Sequence, residues 1–288
     1  LMDSTLASPV IMTGIGLFFG VVLAVAYRLL KVDEDPRIDQ TEGMLPGTNC
    51  GACGEPGCRA FAEELIQGNI EPSKCTVAPK EEIEEIADLL GVDAGEQVKR
   101  VARLHCAGGQ AEAWQIAEYQ GFESCRAAAT VSGGGKGCSW GCLGLADCEV
   151  ACTFDAIQMN KNGLPVVDLE KCTACEDCVV ACPKDLFQIH PVDEHLFVQC
   201  NAPLEGEVIT TLCRTACDAC GKCVADADTG LIEMVNSLPQ IDYQSGATED
   251  PKATWRCPTG AIVWLDAGQF DDKNRNMTEG QKRYAQLH

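Results

Sequence analysis

One stretch of the chain stands apart in its pattern of apolar positions. From Ser4 to Tyr27 no residue is charged, and Val10–Leu30 is almost wholly apolar, a length that crosses a bilayer as one helix. Elsewhere the apolar runs are short and periodic. Phe61, Leu65 and Ile66 share the apolar face of a helix that opens at Cys58 and stops near Gly68. Ile83, Ile86, Ala87 and Leu90 repeat helical spacing over Glu81–Leu90, just before Gly91. AIQMNKNGLPVV reads as two short strands around an Asn162-Gly163 turn, and LIEMVNSLPQIDY as a second hairpin. No long run has the character of a buried strand. The pattern predicts an α+β chain of several small modules rather than one large core.

The apolar segment has two readings, a membrane anchor and a cleaved leader. Ala24-Val25-Ala26 has the small-x-small form of a cleavage site, but the head carries Asp3 and no Lys or Arg, while Arg28 and Lys31 follow the span. That favours a single-pass anchor, and the positive residues after it place the rest of the chain on the cytoplasmic side. Thiols there stay reduced, which argues against a disulfide framework. Gly16, Gly20 and Ala24 share one helical face, where another membrane helix could approach closely. Asp33–Thr41 reads as a polar linker.

Composition sharpens the picture. The net charge of −21 makes nucleic acid an improbable partner and basic protein faces suitable ones. The 288 residues include 20 cysteines, far above ordinary usage. Secreted disulfide scaffolds are short, zinc modules repeat one spacing around single ions, and iron–sulfur carriers show C-x2-C-x2-C runs with a Cys-Pro. The spacing favours iron–sulfur.

GTNCGACGEPGC supplies Cys50, Cys53 and Cys58, with Cys75 returning from a turn, and glycines beside the first two let the backbone wrap closely. A [4Fe–4S] cluster suits this set better than zinc. The strongest signal is Cys172, Cys175, Cys178 and Cys182-Pro183, since in two-cluster ferredoxins the fourth cysteine of such a run reaches to the other cube. The partner run is altered: Cys142, Leu145, Cys148 and Cys152 hold the register, and Cys138, four residues upstream, can supply the missing thiolate. One cube is therefore expected on Cys138, Cys142, Cys148 and Cys182, and another on Cys152, Cys172, Cys175 and Cys178.

A further run starts with Cys217, Cys220 and Cys223, but Ala227 stands fourth, and of its partner run only Cys257-Pro258 survives. The missing ligands together make one complete cube and the survivors another, so a single cluster is expected on Cys217, Cys220, Cys223 and Cys257. That gives four [4Fe–4S] clusters. Cys213 could substitute for a neighbour. It remains over with Cys106, Cys125 and Cys200, as reduced structural thiols or, less expected, as a fifth site.

Taken together, the anchor, GTNCGACGEPGC with Cys75, LHCAGG at Cys106, SCRAAA at Cys125, KGCSWGCLGLADC and CTACEDCVVACPKDLF resemble the B subunit of the Rnf complex, up to about Asp266. Rnf is a prokaryotic inner-membrane ferredoxin:NAD oxidoreductase coupled to ion translocation. The resemblance implies a non-catalytic relay subunit that takes electrons from soluble ferredoxin or another low-potential donor. It would pass them to membrane and NAD-binding subunits. The third module departs from the family pattern, where two cubes are expected. Rival readings are a relay in a hydrogenase- or quinone-linked complex, or a corrinoid-linked iron–sulfur protein, for which no corrinoid domain is evident.

The expected divisions are an anchor over 1–31, a linker over 32–45, a 4Fe–4S domain over 46–100 and a connecting segment over 101–135. A two-cluster ferredoxin module follows over 136–200, a one-cluster module over 201–266, and a polar tail over 267–288. Asp242 to Thr248 resembles the sequence that carries covalent FMN in other subunits of such complexes, yet a plain surface turn is the simpler reading of Thr248. Gly133 to Gly137 lacks phosphate-loop spacing. His190 and His195 read as surface or packing residues.

Overall fold

The computed structural model describes residues 4–30 and 35–270. Asp3, Lys31, part of the expected linker and most of the expected polar tail lie outside them. Helix α1 (Ser4–Leu30) covers the apolar segment, and its Met12–Leu29 stretch is long and apolar enough to span a membrane. Leu17, Phe18 and Leu23 in that stretch are exposed.

The stretch read as a linker is instead helical from α2 (Pro36–Met44). Asp35 accepts the Arg37 amide as an N-cap at 2.9 Å and Pro36 fills the first helical position, both start signals that outweigh the stretch's polarity. Helix α2 packs on α3 (Cys58–Gln67), where Arg59 pairs with Asp39 and Glu42. Gly68 closes α3 at φ +76, as the sequence suggests. After α4 (Lys80–Leu90), Phe61, Ala62, Leu65 and Ile86 form this region's core.

Two units of the same design follow. The first has β1 (Arg100–Leu104), α5 (Cys125–Thr130), α6 (Asp147–Ala151), β2 (Ile157–Met159), β3 (Pro165–Val167), α7 (Asp177–Ala181) and β4 (Phe187–Pro191). The second has β5 (Leu196–Val198), α8 (Gly206–Leu212), α9 (Lys222–Asp226), β6 (Ile232–Val235), β7 (Leu238–Ile241), α10 (Lys252–Trp255) and β8 (Ile262–Trp264). In each, the outer strands pair antiparallel, β1 with β4 and β5 with β8, around an inner hairpin, β2–β3 or β6–β7. Both hairpins fall where the sequence pattern predicts them.

Strand pairing also moves two expected boundaries. The segment read as a connector supplies β1, and β5, expected to end the first module, pairs with β8 of the second. A lone outer strand carries no local turn signal, so its partner is visible only in three dimensions.

Among the described residues, all four sheets have two strands, an arrangement of marginal stability alone. The cores are correspondingly rich in sulfur. Cys148 and Cys178 are buried with Leu104, Ile157, Leu164, Leu186 and Phe187, and Cys217, Cys223 and Cys257 with Leu196, Leu231 and Ile262.

A polar block joins the units. His105 Nε2 faces His190 Nε2 at 3.3 Å, His190 Nδ1 meets Glu194 at 2.7 Å, and Arg103 lies 5.2 Å from the Phe197 ring centroid. Burial pushes both imidazoles down to about 4 and Glu194 up to about 7. His190 is thus a packing residue; His195, stacked on Trp264, is another.

Gln269 pins the chain after β8 to β1. It is 3% exposed, accepts the Leu104 amide at 2.8 Å and donates to the Leu104 carbonyl at 3.0 Å. Gln269→Ala strands both buried backbone groups and is expected to cost about 2–4 kcal/mol. Denaturant titration of the full chain checks this, and a loss under about 0.5 kcal/mol would show that water replaces the side chain.

Candidate metal centres

Three runs of chain share one backbone path. Gly144 and Ala146, Ala174 and Glu176, and Ala219 and Gly221 all have φ between +58 and +72. Each pair stands second and fourth after the first cysteine of its run, Cys142, Cys172 or Cys217. Left-handed residues so placed turn successive amides inward, making a concavity suited to a negatively charged group. Four of the six positions carry side chains, a conformational cost typical of functional loops. The run containing Leu145 keeps the path although it has lost a cysteine.

Thiols ring two cavities, one of them at the Cys172 run. Cys50, Cys53, Cys58 and Cys75 line the first, and Cys152, Cys172, Cys175 and Cys178 the second, both partly open to solvent. In the first, Asn49 Oδ1 accepts the Cys58 amide at 2.8 Å and ties the loop to the start of α3. In the second, the Ala102 amide donates to Cys172 Sγ at 3.4 Å and the Ala156 amide to Cys152 Sγ at 3.3 Å. Cys217, Cys220, Cys223 and Cys257 lie in one another's electrostatic reach. Among the described residues, no group of three or more His, Cys, Asp or Glu side chains converges on the position of a single ion.

Burial pushes the thiols up, Cys142, Cys148, Cys178 and Cys217 to about 12 and Cys223 to about 11. Thiolates at these positions therefore require a cationic partner. Four thiols around a cavity, with amides aimed at sulfur, fit a cubane iron–sulfur cluster.

The remaining expected set is only partly brought together. Cys148 lies within electrostatic reach of Cys182, and Cys142 of Cys148. Cys138 is placed elsewhere, packed with Cys213, Ala202 and Ala216 in a separate apolar cluster. Cys125 stands beside Cys148 and Cys182 instead, its amide held by Asp147 at 2.9 Å. Its thiol accepts the amide of Leu145, the residue at the vacated ligand position. Thr248 is exposed on the loop after β7.

Comparison with known proteins bears on two of these regions and on the chain as a whole. Residues 45–77 match a family model for an Fe-S cluster, and residues 165–187 one for a 4Fe-4S binding domain. The chain is 39% identical over 262 residues to the B subunit of the Na(+)-translocating ferredoxin:NAD(+) oxidoreductase complex of Acetobacterium woodii, covering 91% of this chain and 78% of the relative. It is 34% identical to the B subunit of the ion-translocating oxidoreductase complex of Methanosarcina acetivorans, covering 91% and 99%. With the B subunit of the proton-translocating ferredoxin:NAD(+) oxidoreductase complex of Clostridium ljungdahlii the identity is 36%, covering 93% and 95%. The sulfur-rich cores and these long matches agree: the chain belongs to the family of B subunits of the Rnf-type ion-translocating oxidoreductase complexes.

Proposed function

We propose that the chain is the membrane-anchored electron relay of such a complex, accepting electrons from reduced ferredoxin and delivering them to membrane and NAD-binding subunits. The thiol-ringed cavities carry the reading. Cys50, Cys53, Cys58 and Cys75 would hold one [4Fe–4S] cluster, Cys152, Cys172, Cys175 and Cys178 another, and Cys217, Cys220, Cys223 and Cys257 a third. Cys142, Cys148 and Cys182 contribute to one more. Such clusters take up and release single electrons. The chain's own part is to hold them in apolar surroundings and to direct amides such as those of Ala102 and Ala156 at their sulfur ligands. Those amide contacts and the burial around them tune potential.

The exposed apolar helix α1 supports a lipid anchor, because side chains such as Leu17 and Phe18 have no protein cover. Arg28 at the C-terminal end of the span supports a cytoplasmic location for the modules. The net charge of −21 suits donors and acceptors with basic docking faces.

The test is anaerobic titration of the full chain with reduced ferredoxin, followed by EPR and visible bleaching. Electron uptake with cubane S = 1/2 signals is expected. Iron and sulfide present but no uptake from ferredoxin would move the chain to another donor. Stoichiometric zinc with little iron would sink the relay.

A further inference from the structure

A third cavity, partly open to solvent like the other two and similar to them in extent, is lined by Cys106, Cys138, Cys200 and Cys213. Three of these cysteines have no ligand role by spacing, and spacing assigns the fourth to another site. We infer that this tetrad holds a further [4Fe–4S] cluster at the junction of the two units, and that Cys125 takes the place of Cys138 beside Cys142, Cys148 and Cys182. All 20 cysteines of the chain then fall into five sets of four. The inference rests on the iron–sulfur reading above and extends it.

The four thiols are mutually close. Cys106 and Cys138 each lie in the electrostatic reach of Cys213, and Cys200 in that of Cys106 and Cys138. Glycines open the space between them. A Cβ on Gly108 would sit 2.8 Å from Cys213 Sγ and 3.8 Å from Cys106 Sγ, and one on Gly141 would sit 3.5 Å from Cys138 Sγ.

The cavity also carries a charge in need of an anion. Lys136 lines it at 7% exposure, and its ammonium donates to the carbonyls of Gly108 and Cys142 rather than to a carboxylate. A buried cation without an anionic partner is costly. A cubane with four thiolate ligands is anionic in either oxidation state, and supplies one.

The tetrad follows the repeat of the two units. Cys106 stands two residues past the end of β1, and Cys200 two residues past the end of β5. Cys138 and Cys213 each stand four residues before the first cysteine of their own run, Cys142 and Cys217. Each unit thus contributes one cysteine of each kind. The site touches both neighbours: the Cys142 amide donates to Cys106 Sγ at 3.3 Å, and the Cys217 amide to the Cys200 thiol. A cluster here links the first unit's cubes to the second unit's single one.

The measurement is iron, sulfide and zinc per chain on anaerobically purified full-length protein, wild type against Cys213→Ala and Gly108→Val. About twenty irons are expected in the wild type and about sixteen in each variant, with other cluster signals intact. Gly108→Val fills the cavity and leaves every cysteine in place. If a variant does not fold, the wild-type count decides alone. About sixteen irons in the wild type, or about sixteen with one zinc, would overturn the fifth cluster and leave the relay standing. Very little iron would remove both.

Discussion

Removing iron from the full chain with a chelator is expected to abolish the cooperative fold of residues 100–270, leaving α1 helical in detergent. The four two-stranded sheets of the described residues are marginal alone in water, and the cores that join them are built around cysteine sulfur. A structural metal site contributes on the order of 10 kcal/mol, comparable to the whole net stability of an ordinary domain at about 5–15 kcal/mol. Loss of all the clusters together should therefore exceed the margin of both units. Hydrogen exchange and circular dichroism of the apo protein check this. A metal-free chain that still unfolds in one sharp transition at the original midpoint would show that packing, not metal, holds the units.

Replacing Arg103 by Met is expected to make the potential of the cluster on Cys152, Cys172, Cys175 and Cys178 more negative, by on the order of 50–100 mV. Arg103 is 2% exposed, and Cys172 is among the groups that hold its charge in place. Reduction adds negative charge to the cluster, so a nearby guanidinium favours the reduced state and its loss disfavours it. Arg103 also donates to the Ala267 carbonyl at 3.0 Å, while its Nε has no partner among the described residues. The variant should lose about 1–2 kcal/mol of stability as well, from the carbonyl and from Phe197. An EPR-monitored redox titration reads the potential directly. An unchanged midpoint would show that the charge is screened from the cluster.

How much of this is legible in the chain alone depends on whether a feature is local. Cys50, Cys53 and Cys58 lie on one loop and the first residue of α3, and Cys172, Cys175 and Cys178 on one turn and short helix, so spacing alone predicts their company. The complementary losses at Ala227 and before Cys257 are readable for the same reason. Helices α3 and α4 and both inner hairpins carry their own periodicity, caps and turns. The outer strands do not. The strand β1 pairs with β4, almost ninety residues away in sequence, and nothing near Arg100 announces it.

The sites built from outer strands are hidden by the same cause. Cys106 and Cys200 are single cysteines, each following a strand whose partner lies far along the chain. Cys125 reaches Cys148 through the Asp147 carboxylate, which accepts the amides of Cys125 and Arg126 and the Ser124 hydroxyl. A weak signal does exist. Leu104-His-Cys106 and Val198-Gln-Cys200 share an offset, as do Cys138 and Cys213 before their runs. Such offsets gain meaning only once the two units are aligned by their strands.

The pairing of each unit's first strand with its last has a consequence for architecture. The chain enters and leaves each unit along neighbouring strands, and the passage between units is the short stretch 192–195. A whole unit can be spliced in or cut out at such a seam without rerouting the chain on either side. The number of redox stations is therefore adjustable in complete blocks, much as carriages are coupled to a train. The tetrad at the junction is the coupling, since it alone draws ligands from both sides of the seam and must be rebuilt wherever a new block is joined.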